Sequence, residues 1–154
     1  MGRVIAVDPG EKRLGVAVSD PTGMLARPLA VVRHVARAVD AAQIAALAAE
    51  QAAVLILVGV ALDDEGGMTP QGRHSEKLAE AIRQQTEIPV LLWDESGSTQ
   101  AARASRIAMG VSRKKRAGHL DDVAAAVILQ SYLDSLAARS FTEPPAPGGE
   151  DGAP

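Results

Sequence analysis

The first twenty residues constrain the fold most, because two short strand signals there flank an aspartate and a tight turn. Residues 4–7 (VIAV) read as a buried strand that stops on a carboxylate, Asp8. Pro9-Gly10 then turns the chain, since proline presets the first corner and glycine accepts positive φ. Residues 14–19 (LGVAVS) supply a second strand, so the stretch is predicted to be a β-hairpin with Asp8 at its mouth. A carboxylate at the end of a buried strand is costly to desolvate unless something positive faces it. A metal ion, a phosphate-bound cation or a nearby arginine would each serve.

The remainder is predicted to be one domain, residues 1–140, followed by an acidic, Pro/Gly-rich and disordered tail, residues 141–154. With 154 residues and 47% apolar content the chain can bury a sizeable core. It has no cysteine, which excludes disulfides, thiolate zinc sites and thiol nucleophiles. The apolar run over residues 54–62 falls far short of the roughly 20 residues a membrane span needs. The sequence goes straight into a strand without a basic-plus-apolar leader, so a cytoplasmic protein is expected. The net charge of −3 conceals a local imbalance. Glu143, Glu150 and Asp151 of the tail account for it, while Arg103, Arg106, Arg113, Lys114, Lys115 and Arg116 cluster with no acid between them. Such a cluster is either a phosphate-contact surface or a solvated helix face and loop.

Further along, residues 24–33 read as a third antiparallel strand and residues 39–51, Ala-rich with apolar positions at helical spacing, as a helix. Residues 54–60 are a continuous apolar strand of the doubly buried kind found in parallel sheets. A Gly-rich loop over 61–72 precedes a helix at about 73–86, and residues 89–93 form a last strand that runs into Asp94 and Glu95. Ser96-Gly-Ser-Thr99 offers caps for a helix reaching Met109, residues 111–118 form a basic loop, and a final helix spans about 120–139. A meander followed by βα units predicts an α/β fold, a mixed five-stranded sheet with three antiparallel and then parallel strands, flanked by helices on both faces. Ligand sites in such sheets lie beyond the carboxyl ends of the strands. Asp8 and Glu95 both occupy such ends.

Three groups of acids therefore matter: Asp8, the Asp94/Glu95 pair, and Asp121/Asp122 at the start of the last helix. Converging, they would make an oxygen-only site, which suits Mg²⁺ or Mn²⁺ and not zinc. Two such ions about 4 Å apart activate water and stabilise the leaving oxygen of a phosphodiester. Taken singly, each acid has a plainer role: Asp8 in its turn, Asp94 or Glu95 paired with Arg103, Asp121 as a helix cap. Their joint placement is the signal. His119 could protonate a leaving group, although a solvent-exposed loop histidine is the plainer reading, and Lys12 and Arg13 lie close enough to Asp8 to touch the scissile phosphate.

These motifs resemble those of the YqgF (RuvX-type) family, ribonuclease-H-like proteins related to Holliday junction resolvases. Asp8-Pro-Gly10-Glu-Lys-Arg13-Leu-Gly15 fits the family's D-x-G-x-x-R-x-G opening. The run Leu57 to Leu62 followed by Asp63 to Gly67 is similar to its strand-Gly-loop element, and Trp93-Asp94-Glu95 with Ser98 and Thr99 to its D-E-R-x-[ST]-[ST] element. Asp121-Asp-Val-Ala124-Ala125 with Ile128-Leu129 and Tyr132-Leu133 is similar to the closing helix. The resemblance covers most of residues 3–136 and implies a ribonuclease-H-like fold with Asp8, Glu95 and Asp121 as catalytic metal-binding acids. Asp122 is a possible auxiliary ligand, because helical periodicity alone does not choose between the two aspartates. The family pattern places Arg after the Glu, where this chain has Ser96-Gly97, so Arg103 would have to supply that guanidinium.

What the resemblance implies is a divalent-metal-dependent endonuclease, holding two Mg²⁺ or Mn²⁺ ions, that processes the 5′ end of pre-16S rRNA. Alternatives are resolution of four-way DNA junctions, which needs a two-fold dimer, and a non-catalytic nucleic-acid-binding module. A relative of the actin-like kinases would need two such domains. The partner is nucleic acid and not a membrane, bound by a monomer or a homodimer. With only Trp93, Tyr132 and Phe141 as aromatics, recognition would rest on backbone charge and duplex or junction shape rather than base stacking.

Overall fold

A computed structural model describes residues 2–94 and the backbone of residues 120–142, with side chains at 123–138. The predicted helix at 98–109, the basic loop at 111–118 and the tail beyond 142 lie outside the described residues. The described elements are strands β1 (Arg3–Pro9), β2 (Arg13–Ser19) and β3 (Ala26–Arg33), helix α1 (Arg37–Glu50), strand β4 (Ala53–Val60), helix α2 (Pro70–Arg83), strand β5 (Val90–Asp94) and helix α3 (Leu120–Thr142). They form one five-stranded sheet in the order β3-β2-β1-β4-β5. The β1–β2 and β2–β3 pairs are antiparallel, and β1–β4 and β4–β5 are parallel.

Side-chain alternation along the strands sends two apolar sets to opposite faces. Ile5, Val7, Val16, Val18, Ile56 and Val58 pack with Ile44 of α1 and Leu78 and Ile82 of α2. Val4, Ala6, Ala17 and Leu57 pack with Ala125, Ala126, Ile128, Leu129 and Leu133 of α3. The second set is rich in alanine, so α3 can lie close against the middle of the sheet.

Element boundaries differ from the sequence reading in ways with local causes. The first strand continues through Asp8 and Pro9, which pair with Gly15 and Leu14. Asp8 therefore sits inside the ladder rather than at the mouth of the turn. β3 begins at Ala26 rather than Met24, because the Asp20 carboxylate holds the chain before it in a turn. Asp20 accepts hydrogen bonds from Thr22 Oγ1 at 2.9 Å, Met24 N at 3.0 Å and Leu25 N at 3.3 Å. Helix α2 begins three residues earlier than expected. Thr69 caps it by accepting from Gly72 N at 2.9 Å while donating to Ala61 O at 2.7 Å, and Pro70 occupies the first turn. A Cβ on Gly72 would come within 2.5 Å of Met68 Sδ and 3.0 Å of Ala61 O, so glycine is what lets α2 start against the end of β4. Helix α1 has no side-chain cap at Ala36. Instead the buried Asp40 reaches back, accepting from Val35 N at 3.0 Å and from His34 Nδ1 at 2.5 Å.

Candidate active site at the carboxyl end of the sheet

Asp8 lies on the α3 side of the sheet, since it shares the parity of Val4 and Ala6. It is half-buried and stands directly opposite Gly15 on β2. On its other side the parallel register pairs Ala6 with Leu57 and Val7 with Val58, so Gly59 is the next position of β4 beside it. Glycine thus flanks this carboxylate on both neighbouring strands, and a hard oxygen donor stands at the end of β1.

Gln130 of α3 donates to Met24 O at 3.0 Å and accepts from Ala26 N at 2.9 Å, at the start of β3. Ala26 pairs with Ser19, whose hydroxyl accepts from Val4 N at 2.9 Å. Helix α3 is thus tied at Gln130 to the start of β3, and its first turn carries Asp121 and Asp122. β5 runs parallel to β4 and ends at Asp94, opposite Val60, at the Asp8 end of the sheet. Glu95 follows Asp94 directly in the sequence and lies outside the described residues, as do the side chains of Asp121 and Asp122.

Trp93 and Tyr132 bind the last strand to α3. Their rings meet edge to face with centroids 5.1 Å apart, and Trp93 Nε1 donates to Ser131 Oγ at 3.1 Å. Both aromatics are half-buried in this contact, which agrees with the expectation that few rings remain for stacking bases. Gln71 of α2 reaches Pro9 O at 3.4 Å and ties the loop before α2 to the end of β1. That loop is tightly wound about Asp63, whose carboxylate accepts from Glu65 N at 2.9 Å and Gly67 N at 2.6 Å, with Gly66 at φ 83°.

Of the expected basic contacts, Lys12 and Arg13 are exposed beside this end of the sheet. Arg103, Arg106, Arg113, Lys114, Lys115, Arg116 and His119 lie outside the described residues. The sequence reading passed over Arg33 and found no supporting context for His34. Arg33 pairs with Arg13 across β2 and β3, and both line a cleft of about 460 Å³ together with Glu11, Lys12, Val31 and His34. Counting back from the Pro9-Gly10 turn could have paired β1 with β2, but no local signal sets the β2–β3 register that brings Arg33 in.

An oxygen-only divalent-ion site is the arrangement these residues can build. Asp8 fits it in chemistry and in its position near the end of β1. Among the described residues no group of three potential ligands gathers, so the set would be completed by Glu95 and by Asp121 or Asp122.

Comparison with known proteins agrees with this architecture. Residues 2–135 match the family model described as "RuvX: Holliday junction resolvase". A protein of Roseiflexus sp. (strain RS-1) named "Putative pre-16S rRNA nuclease" is 38% identical over 134 residues, 87% of this chain and 95% of that one. One of the same name from Geobacillus kaustophilus (strain HTA426) is 42% identical over 135 residues, covering 86% and 98%. Among solved structures, T. thermophilus RuvC in complex with Holliday junction substrate superposes with a TM-score of 0.62 at 18% identity, covering 95% of this chain and all of that one. The fowlpox virus Holliday junction resolvase gives 0.53 at 16% identity, covering 87% and 99%. At such identities the likeness is one of fold, the five-stranded ribonuclease-H-like sheet expected from the sequence. Matched by the family model over nearly its whole body and by relatives across most of its length, the chain belongs to the RuvX family.

Proposed function

We propose that this protein is a divalent-metal-dependent endonuclease that hydrolyses nucleic-acid phosphodiesters, with the 5′ leader of pre-16S rRNA as its substrate. The observation that supports the reading is Asp8, paired with Gly15 and beside Gly59, at the same end of the sheet as the carboxyl terminus of β5. Relatives named for pre-16S rRNA support the substrate.

Asp8, Glu95 and Asp121, with Asp122 as an auxiliary ligand, would hold one or two Mg²⁺ or Mn²⁺ ions. Bound there, the ions would supply an activated water and stabilise the leaving oxygen. The chain's own part is to fix those carboxylates on rigid elements and to hold the substrate backbone against them. Asp8 is fixed by strand pairing on both sides, and α3 by its apolar face. Lys12 and Arg13 would draw the phosphate toward Asp8, with Arg103, Arg106, Arg113, Lys114, Lys115 and Arg116 adding charge along the backbone and His119 an auxiliary proton donor.

The family description favours a second reading, resolution of Holliday junctions in DNA. It requires a two-fold dimer with two active sites, whereas a single cut in a leader needs only one site. Purified protein with Mn²⁺ should be offered a pre-16S 5′-leader RNA and a four-way DNA junction side by side, and its mass measured in solution. Cleavage of the leader that Asp8→Asn and EDTA each abolish is the expected result. Full activity of Asp8→Asn would overturn the carboxylate site, and cleavage of the junction alone by a dimer would replace the RNA substrate.

A further inference from the structure

Asp40, in the first turn of α1, is a buried acid with no part in the chemistry proposed above; it is 2% exposed. Both of its carboxylate oxygens are engaged, Oδ1 accepting from Val35 N at 3.0 Å and Oδ2 from His34 Nδ1 at 2.5 Å. Burying a carboxylate is costly unless it is paired and hydrogen-bonded. Capping α1 accounts for the Val35 bond, because Ala36 makes no side-chain cap. It does not account for His34, whose side chain is 36% exposed and lines the cleft together with Lys12.

What the pair holds is the turn that follows Asp8. The β1–β2 ladder ends at Pro9–Leu14 and the β2–β3 ladder at Arg13–Arg33, so residues 10–12 lie beyond both. His34 is the first residue past β3, and its N–H donates to Lys12 O at 2.9 Å, one bond beyond the Arg13–Arg33 pair. The ring of the same residue is anchored on Asp40, and Asp40 is part of α1, its own N–H donating to Ala36 O at 2.8 Å. A continuous run of hydrogen bonds therefore leads from α1 through Asp40 and His34 to the main chain of Lys12. The turn is also tightly wound, since a Cβ on Gly10 would stand 2.3 Å from Arg13 O.

We propose that Asp40 and His34 are positioning residues that act through Lys12, fixing the main chain from which its side chain reaches the scissile phosphate. Neither touches the substrate. This inference rests on the nuclease reading above, in which Lys12 is a phosphate contact. A residue that merely caps α1 would leave Lys12 indifferent to changes at His34. Energetic coupling between positions 12 and 34 is what separates the two roles.

The test is a double-mutant cycle on the full chain with Mn²⁺, using whichever of the pre-16S 5′-leader RNA and the four-way DNA junction wild type cleaves. The unfolding midpoint of each variant is measured alongside. His34→Phe keeps a ring and removes the Nδ1–H donor, while Lys12→Gln removes the phosphate contact itself. Each should lower kcat/KM roughly tenfold, the order of one charge-assisted hydrogen bond. The double variant should be no worse than Lys12→Gln alone. His34→Asn, whose amide nitrogen can stand in for Nδ1, should recover most of the activity. Amide hydrogen exchange at residues 10–13 should quicken in His34→Phe and not in His34→Asn. If His34→Phe fails to fold, Asp40→Asn takes its place in the cycle, since it keeps the volume and an acceptor for Val35 N. Additive losses in the double variant, equal losses in His34→Phe and His34→Asn, or unchanged exchange at residues 10–13 would each overturn the positioning role while leaving the nuclease reading intact. Wild type that cleaves neither substrate refutes the nuclease reading, and the positioning role falls with it.

Discussion

Asp8 and Gly15 face each other across the first two strands, in the ladder that also pairs Val7 with Val16. A side chain at position 15 would stand beside the carboxylate on the same face of the sheet. The D-x-G-x-x-R-x-G spacing thus has a stereochemical meaning: its last glycine stands directly opposite its first aspartate.

Gly15→Val tests this directly. Valine favours strands, so the hairpin should survive, while the added branches occupy the space beside Asp8. Cleavage should fall by about tenfold or more, as expected when a reacting group is displaced by roughly an ångström. Oligonucleotide binding should persist. A Gly15→Val protein with wild-type cleavage would show that the space is not used.

Gly10 is required for a different reason. A Cβ there would stand 2.3 Å from the carbonyl oxygen of Arg13, a backbone atom that cannot move without opening the turn. Gly10→Ala should cost about 1–3 kcal/mol, the range for overpacking, measured by urea unfolding. An unchanged midpoint would mean the turn relaxes freely.

Gln130 is a polar tie between α3 and the β-meander. Its buried amide accepts from Ala26 N and donates to Met24 O and to Asp134 Oδ1, each at 2.9–3.0 Å. Gln130→Met keeps the volume and removes all three bonds, leaving backbone groups of residues 24 and 26 unsatisfied. The expected loss is about 1–3 kcal/mol in denaturant unfolding. Because this tie sets how α3 lies along the sheet, cleavage should fall more than stability accounts for.

Asp20 should titrate below its ordinary value of 3.8. Desolvation is the largest single influence and pushes it up, but bonds from Thr22 Oγ1 and the backbone N–H groups of Leu25, Met24 and Gly23 together outweigh it. A depressed folded-state value means the turn's contribution is present above the unfolded value and is lost as pH falls through the folded one. An NMR titration of the Asp20 carboxyl should give a midpoint below 3.8, and Thr22→Ala should raise it. A midpoint at or above 3.8 in the wild type would contradict the network.

Much of the fold was legible because its signals are local. Hydrophobic alternation in residues 14–19, the apolar run at 54–60 and the alanine-rich periodicity of 39–51 each specify an element without help from distant residues. The starts of β3 and α2 were misjudged where a single side chain decides them. Asp20 delays the strand by capturing Met24 and Leu25, and Thr69 starts the helix early by bridging Ala61 and Gly72.

For the site, the sequence by itself determined which residue could be a strand-end carboxylate and which glycines and bases accompany it, because turn chemistry fixes that spacing. It could not determine what lies beside Asp8. Gly59 is 51 positions away and Arg33 is 25, and strand order and register bring them in. Register follows from which faces bury together over the whole sheet, a property no local window contains. His34 shows the same limit. It had no partner in the sequence reading, and it acquired Asp40 and a place in the cleft only when β3 turned into α1.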